Sequence, residues 1–182
     1  DTAPKLTGAQ IYSLDLKLPG MLCAAIKDCP VFGGKLTSFD AAKVQGMPGV
    51  KHVVKVGDSA VGVVAERWWQ AKTALDALPA TWDEGENAKV SSASIAEFLK
   101  TGLDADKAFV GNEHGDVKQA IAGAAKKVEA VYAYPYQNHA TMEPMNTTVL
   151  YTADRCEAWV PTQVAEAALA ALSEASGLPI HK

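Results

Sequence analysis

Pro135 and Pro144 lie within the stretch that most limits how this chain can fold, Tyr134-Pro-Tyr-Gln-Asn-His-Ala-Thr-Met-Glu-Pro-Met-Asn146. Each proline removes a backbone donor and pushes the residue before it, Tyr134 or Glu143, towards an extended backbone. A regular helix through the stretch is disfavoured, although His139 and Glu143 stand four apart and would share a helix face. Aromatics, amides, a histidine, a carboxylate and two thioethers are concentrated here, as where a chain lines a site. The alternative is a strand-to-loop crossing in which His139 and Glu143 satisfy each other or nearby backbone, since buried polar groups need partners whatever their job.

Around this stretch the pattern alternates between short β-rich runs and helices. Gln10–Lys17 alternates as a strand does, and Met21–Ile26 is an apolar run. Leu18-Pro19-Gly20 between them supplies a type II turn, so a hairpin is expected. Pro30-Val-Phe-Gly-Gly34 is a loop. It lacks the lysine-serine/threonine ending and the following helix of a phosphate loop. A short helix is expected from Asp40, ended by Gly46 and Pro48. Two strands follow, 52–56 and 60–65, and then the clearest helix of the first half, 66–78, with Trp68, Ala71, Leu75 and Leu78 on one face. Trp68 and Trp69 are adjacent, so one of the two rings is expected to face a partner.

Further along, Ala80–Asp83 reads as a strand and Ser94-Ile-Ala-Glu97 as a capping box opening a helix that Gly102 ends. The polar segment 101–115 reads as a crossing between two structural units. Asp116 caps a helix over 117–125, and Lys127–Tyr134 alternates as a half-buried strand. Strands at 147–151 and 156–160 join through Thr152–Arg155. A last helix over 164–176 is capped by Thr162 and closed by Gly177.

A length of 182 residues allows one large core or two small domains, and 48% hydrophobic with 21% charged residues is ordinary globular composition. The net charge of -4 gives no basic footprint for nucleic acid. No apolar run reaches the length of a membrane span, and no leader pattern opens the chain. The start, Asp-Thr-Ala-Pro-Lys, has no initiator methionine, so a processed or excised chain is expected. Cys23, Cys29 and Cys156 are too irregularly spaced for a disulfide framework or a zinc knuckle, and Cys23 reads as packing.

The residues complete no catalytic set. His52, His114, His139 and His181 are scattered, and no serine sits in a nucleophile elbow. A metal pair of His139 and Glu143 would need the helix that the prolines oppose. Glu143 lies among Met142, Pro144 and Met145, neighbours that would desolvate a carboxylate as acids and substrate anchors are tuned. Gln163 follows Trp159-Val-Pro-Thr162 where a strand ends and a helix begins. A glutamine there can donate to an anionic or oxo ligand without adding charge, or simply sit in a first turn.

Leu18–Ile26, Cys29–Gly34, Met47-Pro-Gly-Val50, Trp69-Gln-Ala-Lys72 and Trp82-Asp-Glu-Gly85 together resemble the α/β hammerhead domain of the xanthine dehydrogenase and aldehyde oxidase family. His139–Asn146, Trp159–Gln163 and Gly177-Leu-Pro179 resemble the start of the molybdopterin-binding region that follows it. The loop at 30–34 and the double tryptophan are most similar to isoquinoline 1-oxidoreductase and related membrane-linked aldehyde dehydrogenases.

The resemblance implies an α+β chain, with residues 1–105 as the hammerhead and 106–182 as the incomplete beginning of the cofactor domain. It implies oxidation of an aldehyde or N-heterocycle with water as oxygen source and molybdenum on molybdopterin, usually the cytosine dinucleotide. It also implies an iron-sulfur partner subunit, a cytochrome c among the acceptors, and a periplasmic or membrane-associated setting. Gln163 matches the family glutamine that hydrogen-bonds an oxo ligand of molybdenum. His139 and Glu143 match a segment structural to the site.

A glycine-phenylalanine-glycine cofactor loop and a catalytic glutamate, which family chains carry further on, do not occur here. The resemblance therefore implies a portion of a larger subunit, with the remainder of that subunit as its first partner. Alone, the chain is expected to be inactive and to hold no tight cofactor. The rival expectation is a stand-alone assembly module that recruits an iron-sulfur partner through Trp68 and Trp69.

Overall fold

The computed structural model describes residues 2–107 and 109–182. In chain order the elements are α1 (Thr2–Thr7), β1 (Cys23–Asp28), β2 (Lys35–Phe39), β3 (Val50–Val56), β4 (Ala60–Ala65), α2 (Trp68–Ala77), β5 (Ala80–Asp83), α3 (Ser92–Thr101), α4 (Val117–Gly123), β6 (Thr148–Tyr151), β7 (Cys156–Trp159) and α5 (Ala165–Ser176). Short 3₁₀ turns lie between them. The α+β reading holds at this level of mixed helix and strand. The chain divides into two compact units, one of residues 1–21 with 138–182 and one of residues 22–137.

The second unit holds the hydrophobic core. β4 is the middle strand of an antiparallel sheet ordered β1-β4-β3, with Ala25 and Val53 both opposite Val63. Side chains alternate across a strand, so Ala25, Val61, Val63 and Ala65 point to one face. They cluster there with Ala71, Ala74, Leu75 and Leu78 of α2 and the residue after it. Leu36 of β2 and Trp82 of β5 are opposite each other in a second, two-stranded sheet, and both pack against this cluster. The buried face of α2 is thus narrow and small-residued. Trp68, expected on it, is instead 58% exposed and Trp69 59% exposed, because the Ala71-Ala74-Leu75-Leu78 stripe already fills the contact with the sheet.

In the first unit β6 and β7 form a hairpin with Thr148 opposite Trp159 and Tyr151 opposite Cys156. Its turn closes through Thr152, whose amide donates to the Arg155 carbonyl at 2.8 Å. Gly177, with a left-handed φ of 71°, ends α5, and its amide donates to the Ser173 carbonyl at 3.0 Å. No described residue of this unit is buried.

Four expectations are corrected. Gln10–Lys17 is not a strand but carries a 3₁₀ turn at Ser13–Asp15. Asp15 captures the Tyr12 amide at 3.0 Å, and such local side-chain bonding competes with a ladder. The Pro19-Gly20 turn itself is present, with Gly20 at φ 73° and the Met21 amide on the Leu18 carbonyl at 3.1 Å. The helix after Asp40 is only a 3₁₀ turn, Ala41–Lys43, capped by the Asp40 carboxylate. Helix α3 is opened by Ser91, not Ser94; Ser94 serves as its reciprocal partner three residues on. Lys127–Tyr134 carries no strand. Alternation marks a segment able to half-bury itself in a sheet, but without a neighbouring edge no ladder forms.

Candidate functional site

The stretch around Pro144 is irregular, as its two prolines require, and its organising group is the Glu143 carboxylate. Oε1 of Glu143 accepts from the Leu14 amide at 3.3 Å and from Asn146 Nδ2 at 3.4 Å. The first of these bonds joins positions 129 apart in sequence. Asn146 Nδ2 also donates to the Pro144 carbonyl at 2.8 Å, and Thr141 Oγ1 donates to the Glu143 carbonyl at 2.7 Å. The loop is therefore tied to itself on both sides of Pro144 and to the turn at 13–15.

This differs from the expected collar of thioethers, because Met142 and Met145 are both exposed and leave Glu143 half-buried among polar partners. His139 and Glu143 do not satisfy each other. His139 is exposed, and among the described residues only its carbonyl is engaged, accepting from the Thr141 amide at 3.2 Å. Among the described residues no three histidine, cysteine or carboxylate side chains are gathered as a metal site would need.

Gln163 sits at the bend between β7 and α5, as its sequence position indicates. Thr162 Oγ1 accepts the Val164 amide at 3.1 Å, fixing the chain just ahead of the helix. The Gln163 side chain is exposed and has no hydrogen-bond partner among the described residues. Sequence reasoning singled out Glu143 but not the Leu14 amide that holds it. A backbone donor leaves no trace in residue identity. Asn146 had such a trace, since an amide two residues beyond a proline can bond back to the turn it follows. Its Oδ1 is buried with no partner among the described residues.

Comparison with known proteins gives this geometry a context. Residues 103–182 match the molybdopterin cofactor-binding domain family. Over 171 residues the chain is 30% identical to a subunit of the nicotinate dehydrogenase of Pseudomonas putida, covering 90% of this chain and 14% of that protein.

The chain is thus similar to a molybdopterin cofactor-binding domain in its second half, and over most of its length to subunits of molybdopterin-type dehydrogenases and oxidoreductases.

The beta subunit of isoquinoline 1-oxidoreductase from Brevundimonas diminuta is 28% identical over 180 residues, covering 90% of this chain and 22% of its own length. The fold is shared with quinoline 2-oxidoreductase of Pseudomonas putida 86, at a TM-score of 0.67 and 18% identity, over 99% of this chain and 28% of that one. All three relatives are named as dehydrogenases or oxidoreductases, and two are named as subunits. The chain spans 14% and 22% of the length of the two curated relatives.

Whether these residues suit a molybdopterin can be judged from the donors they offer. Such a group is large and anionic, and needs several converging N–H donors in a cleft. Gln163 offers one free amide, and the orphaned Asn146 Oδ1 would accept one donor. A cleft of about 360 Å³ in the other unit is lined by Phe32, Gly33, Lys35, Asp83, Gly85, Glu86 and Asn87. Its two carboxylates would repel an anion. The residues present thus suit a single contact and do not form a complete cradle. Among the described residues no helix is long and apolar enough to cross a membrane.

Proposed function

We propose that this chain is part of the large subunit of a molybdenum hydroxylase. In this reading the subunit inserts oxygen from water at a carbon of an aldehyde or N-heterocycle. The substrate C–H becomes C–OH, two protons are released, and two electrons pass to an iron-sulfur partner subunit and onward, a cytochrome c being one acceptor. The observation that carries the reading is the match of residues 103–182 to the molybdopterin cofactor-binding domain family. The names of the relatives, which include nicotinate and isoquinoline enzymes, support the substrate class.

Residues 1–105 are then the hammerhead domain and 106–182 the first part of the cofactor domain, with the cytosine dinucleotide form of molybdopterin held mainly by chain outside this stretch. Gln163 is the proposed contact, an uncharged amide able to donate to an oxygen ligand of the cofactor. Glu143 and His139 have a supporting place, with Glu143 fixing the loop through Leu14 and Asn146. The reading includes a periplasmic or membrane-associated setting, supported by a further similar protein that is named a membrane-bound aldehyde dehydrogenase. Residues 1–182 by themselves are inactive on this reading.

Replacing Gln163 by Ala in the complete enzyme tests it: turnover falls while cofactor content stays unchanged. Unaltered kinetics would remove Gln163 from the site. The exposure of both Trp68 and Trp69 favours one rival, a non-catalytic module that assembles with an iron-sulfur protein. A stop codon directly after Lys182 in the gene would decide for that rival.

A further inference from the structure

The β6–β7 hairpin has one open edge, and the main chain near Lys182 already meets it. At the turn the Thr152 amide donates to the Arg155 carbonyl, and bonded and non-bonded pairs alternate from there. Leu150 with Glu157 and Thr148 with Trp159 are the bonded pairs, so Cys156 and Ala158 turn their main-chain groups away from β6. The Cys156 amide accordingly donates outwards, to the main-chain oxygen of Lys182 at 2.8 Å. Among the described residues no other main-chain group bonds to this edge, and the Cys156 carbonyl and both groups of Ala158 stand unpaired on it.

The approach of Lys182 is fixed. Helix α5 packs against β7, and Leu169, Leu172, Ile180 and Lys182 line a small cavity of about 20 Å³ together with Cys156. Ser173 Oγ donates to the Leu178 carbonyl at 2.6 Å, and the Lys182 amide donates to the Pro179 carbonyl at 2.9 Å. That last bond decides direction. An antiparallel neighbour would set Lys182 opposite Cys156 and use the Lys182 amide for the Cys156 carbonyl, but this amide is taken. A parallel neighbour needs only the Lys182 oxygen there and draws its next donor from two residues further on. Strand β7 followed by helix α5 is also the first part of a strand-helix-strand crossover, which joins parallel neighbours. A hairpin alone is marginal, and this one has no buried residue, its second strand being only half-buried.

We infer that, in the longer subunit, the chain directly following Lys182 runs parallel to β7 and adds a third strand to this sheet. The inference rests on the proposed function, which supplies that longer subunit. Its register follows from the bond already made. The first residue after Lys182 stands beside Cys156, and the amide and carbonyl of the second bond to the Cys156 carbonyl and the Ala158 amide. Side chains alternate along a strand, so the first residue shares a face with the Cys156 thiol and the second lies on the other face.

Two measurements on the complete subunit test it. Amide exchange at Ala158, followed by mass spectrometry on the unsubstituted protein, should be slowed by about 100-fold or more relative to unstructured chain. A cysteine placed at the first position after Lys182 should be joined to Cys156 by a thiol cross-linker of about 5 Å span, the spacing of neighbouring strands, and one at the second position should not. Peptide mass spectrometry identifies the linked pair. Exchange at Ala158 at the unstructured rate overturns the inference, as does cross-linking from the second position or from neither. Protection of Ala158 without the cross-link would give the edge to another segment or a second copy, and overturns it too. A subunit that gives both expected results but contains no molybdenum keeps the strand and counts against the proposed function.

Discussion

Gly34 gives the sharpest test of how the loop at 29–34 is built. Its own amide donates to the Val31 carbonyl at 3.0 Å, closing the loop. A Cβ at this position would run into Cys29 Sγ, and would stand 2.9 Å from the Asp83 carbonyl oxygen and 3.1 Å from that of Val31. The thiol can rotate away, but the Asp83 carbonyl cannot. It belongs to β5, where Asp83 is paired with Lys35 of β2. Overpacking of this kind costs about 1–3 kcal/mol, and with backbone as the obstacle about 2 kcal/mol is expected for Gly34→Ala, roughly a 30-fold shift towards the unfolded state. Adding Cys29→Ala should recover only part of the loss. Gly46→Ala is the control, since a Cβ there meets nothing within 4 Å and its φ is not left-handed; it should be neutral or stabilising by about 0.4–1 kcal/mol. Urea denaturation followed by tryptophan fluorescence reads all four proteins. A Gly34→Ala midpoint equal to that of the unsubstituted chain would refute the close approach of β5 to the loop.

Three further outcomes follow from other parts of the molecule. Glu143→Ala removes the acceptor of the Leu14 and Asn146 bonds, so amide exchange at Leu14 should quicken by about three- to tenfold, an exposed bond contributing roughly 0.5–1.5 kcal/mol; unchanged protection would show that the bond does not tether the two segments. Leu75→Ala, at a side chain only 3% exposed, should cost about 2–5 kcal/mol in the same urea assay, and a loss below about 1 kcal/mol would mean the α2–sheet contact is not the core. The Lys51 ammonium, 2.7 Å from Glu66, holds the Glu66 carboxyl below its usual range by hydrogen bond and then by charge. Its folded pKa is the lower of the two states, so the pair's contribution is full above the ordinary carboxylate pKa and is lost as pH falls through the lowered value. NMR titration should show the Glu66 midpoint rising in Lys51→Ala, and an unmoved midpoint would dismiss the pair.

Elements whose signals are local and covalent were legible in the sequence. Pro79 after Leu78 and Gly177 before Pro179 stop their helices where expected, and the β-rich runs around Gly57-Asp58-Ser59 became β3 and β4. Elements that depend on a neighbour were not. Gln10–Lys17 and Lys127–Tyr134 share the period of a strand, but a strand exists only against an edge, and period alone does not say whether an edge is near. Trp68 fits the helical spacing of the α2 face, yet small and aliphatic residues fill the contact and leave the ring outside. At the candidate site, Gln163 is where its sequence context put it, at a strand end ahead of a helix. The partner of Glu143 was invisible because it is the main chain of Leu14, a donor every residue but proline carries. The burial of the Asn146 side-chain oxygen shows itself only once the fold is known.

Cofactor analysis tests the central claim most directly. Molybdenum and pterin are measured per chain in the complete subunit, purified natively, and in residues 1–182 expressed alone. Stoichiometric molybdenum and pterin in the complete subunit, with little or none retained by residues 1–182, is the result expected of one wall of a pocket. A complete subunit free of molybdenum, or residues 1–182 that hold it tightly and turn over an aldehyde, would contradict the account.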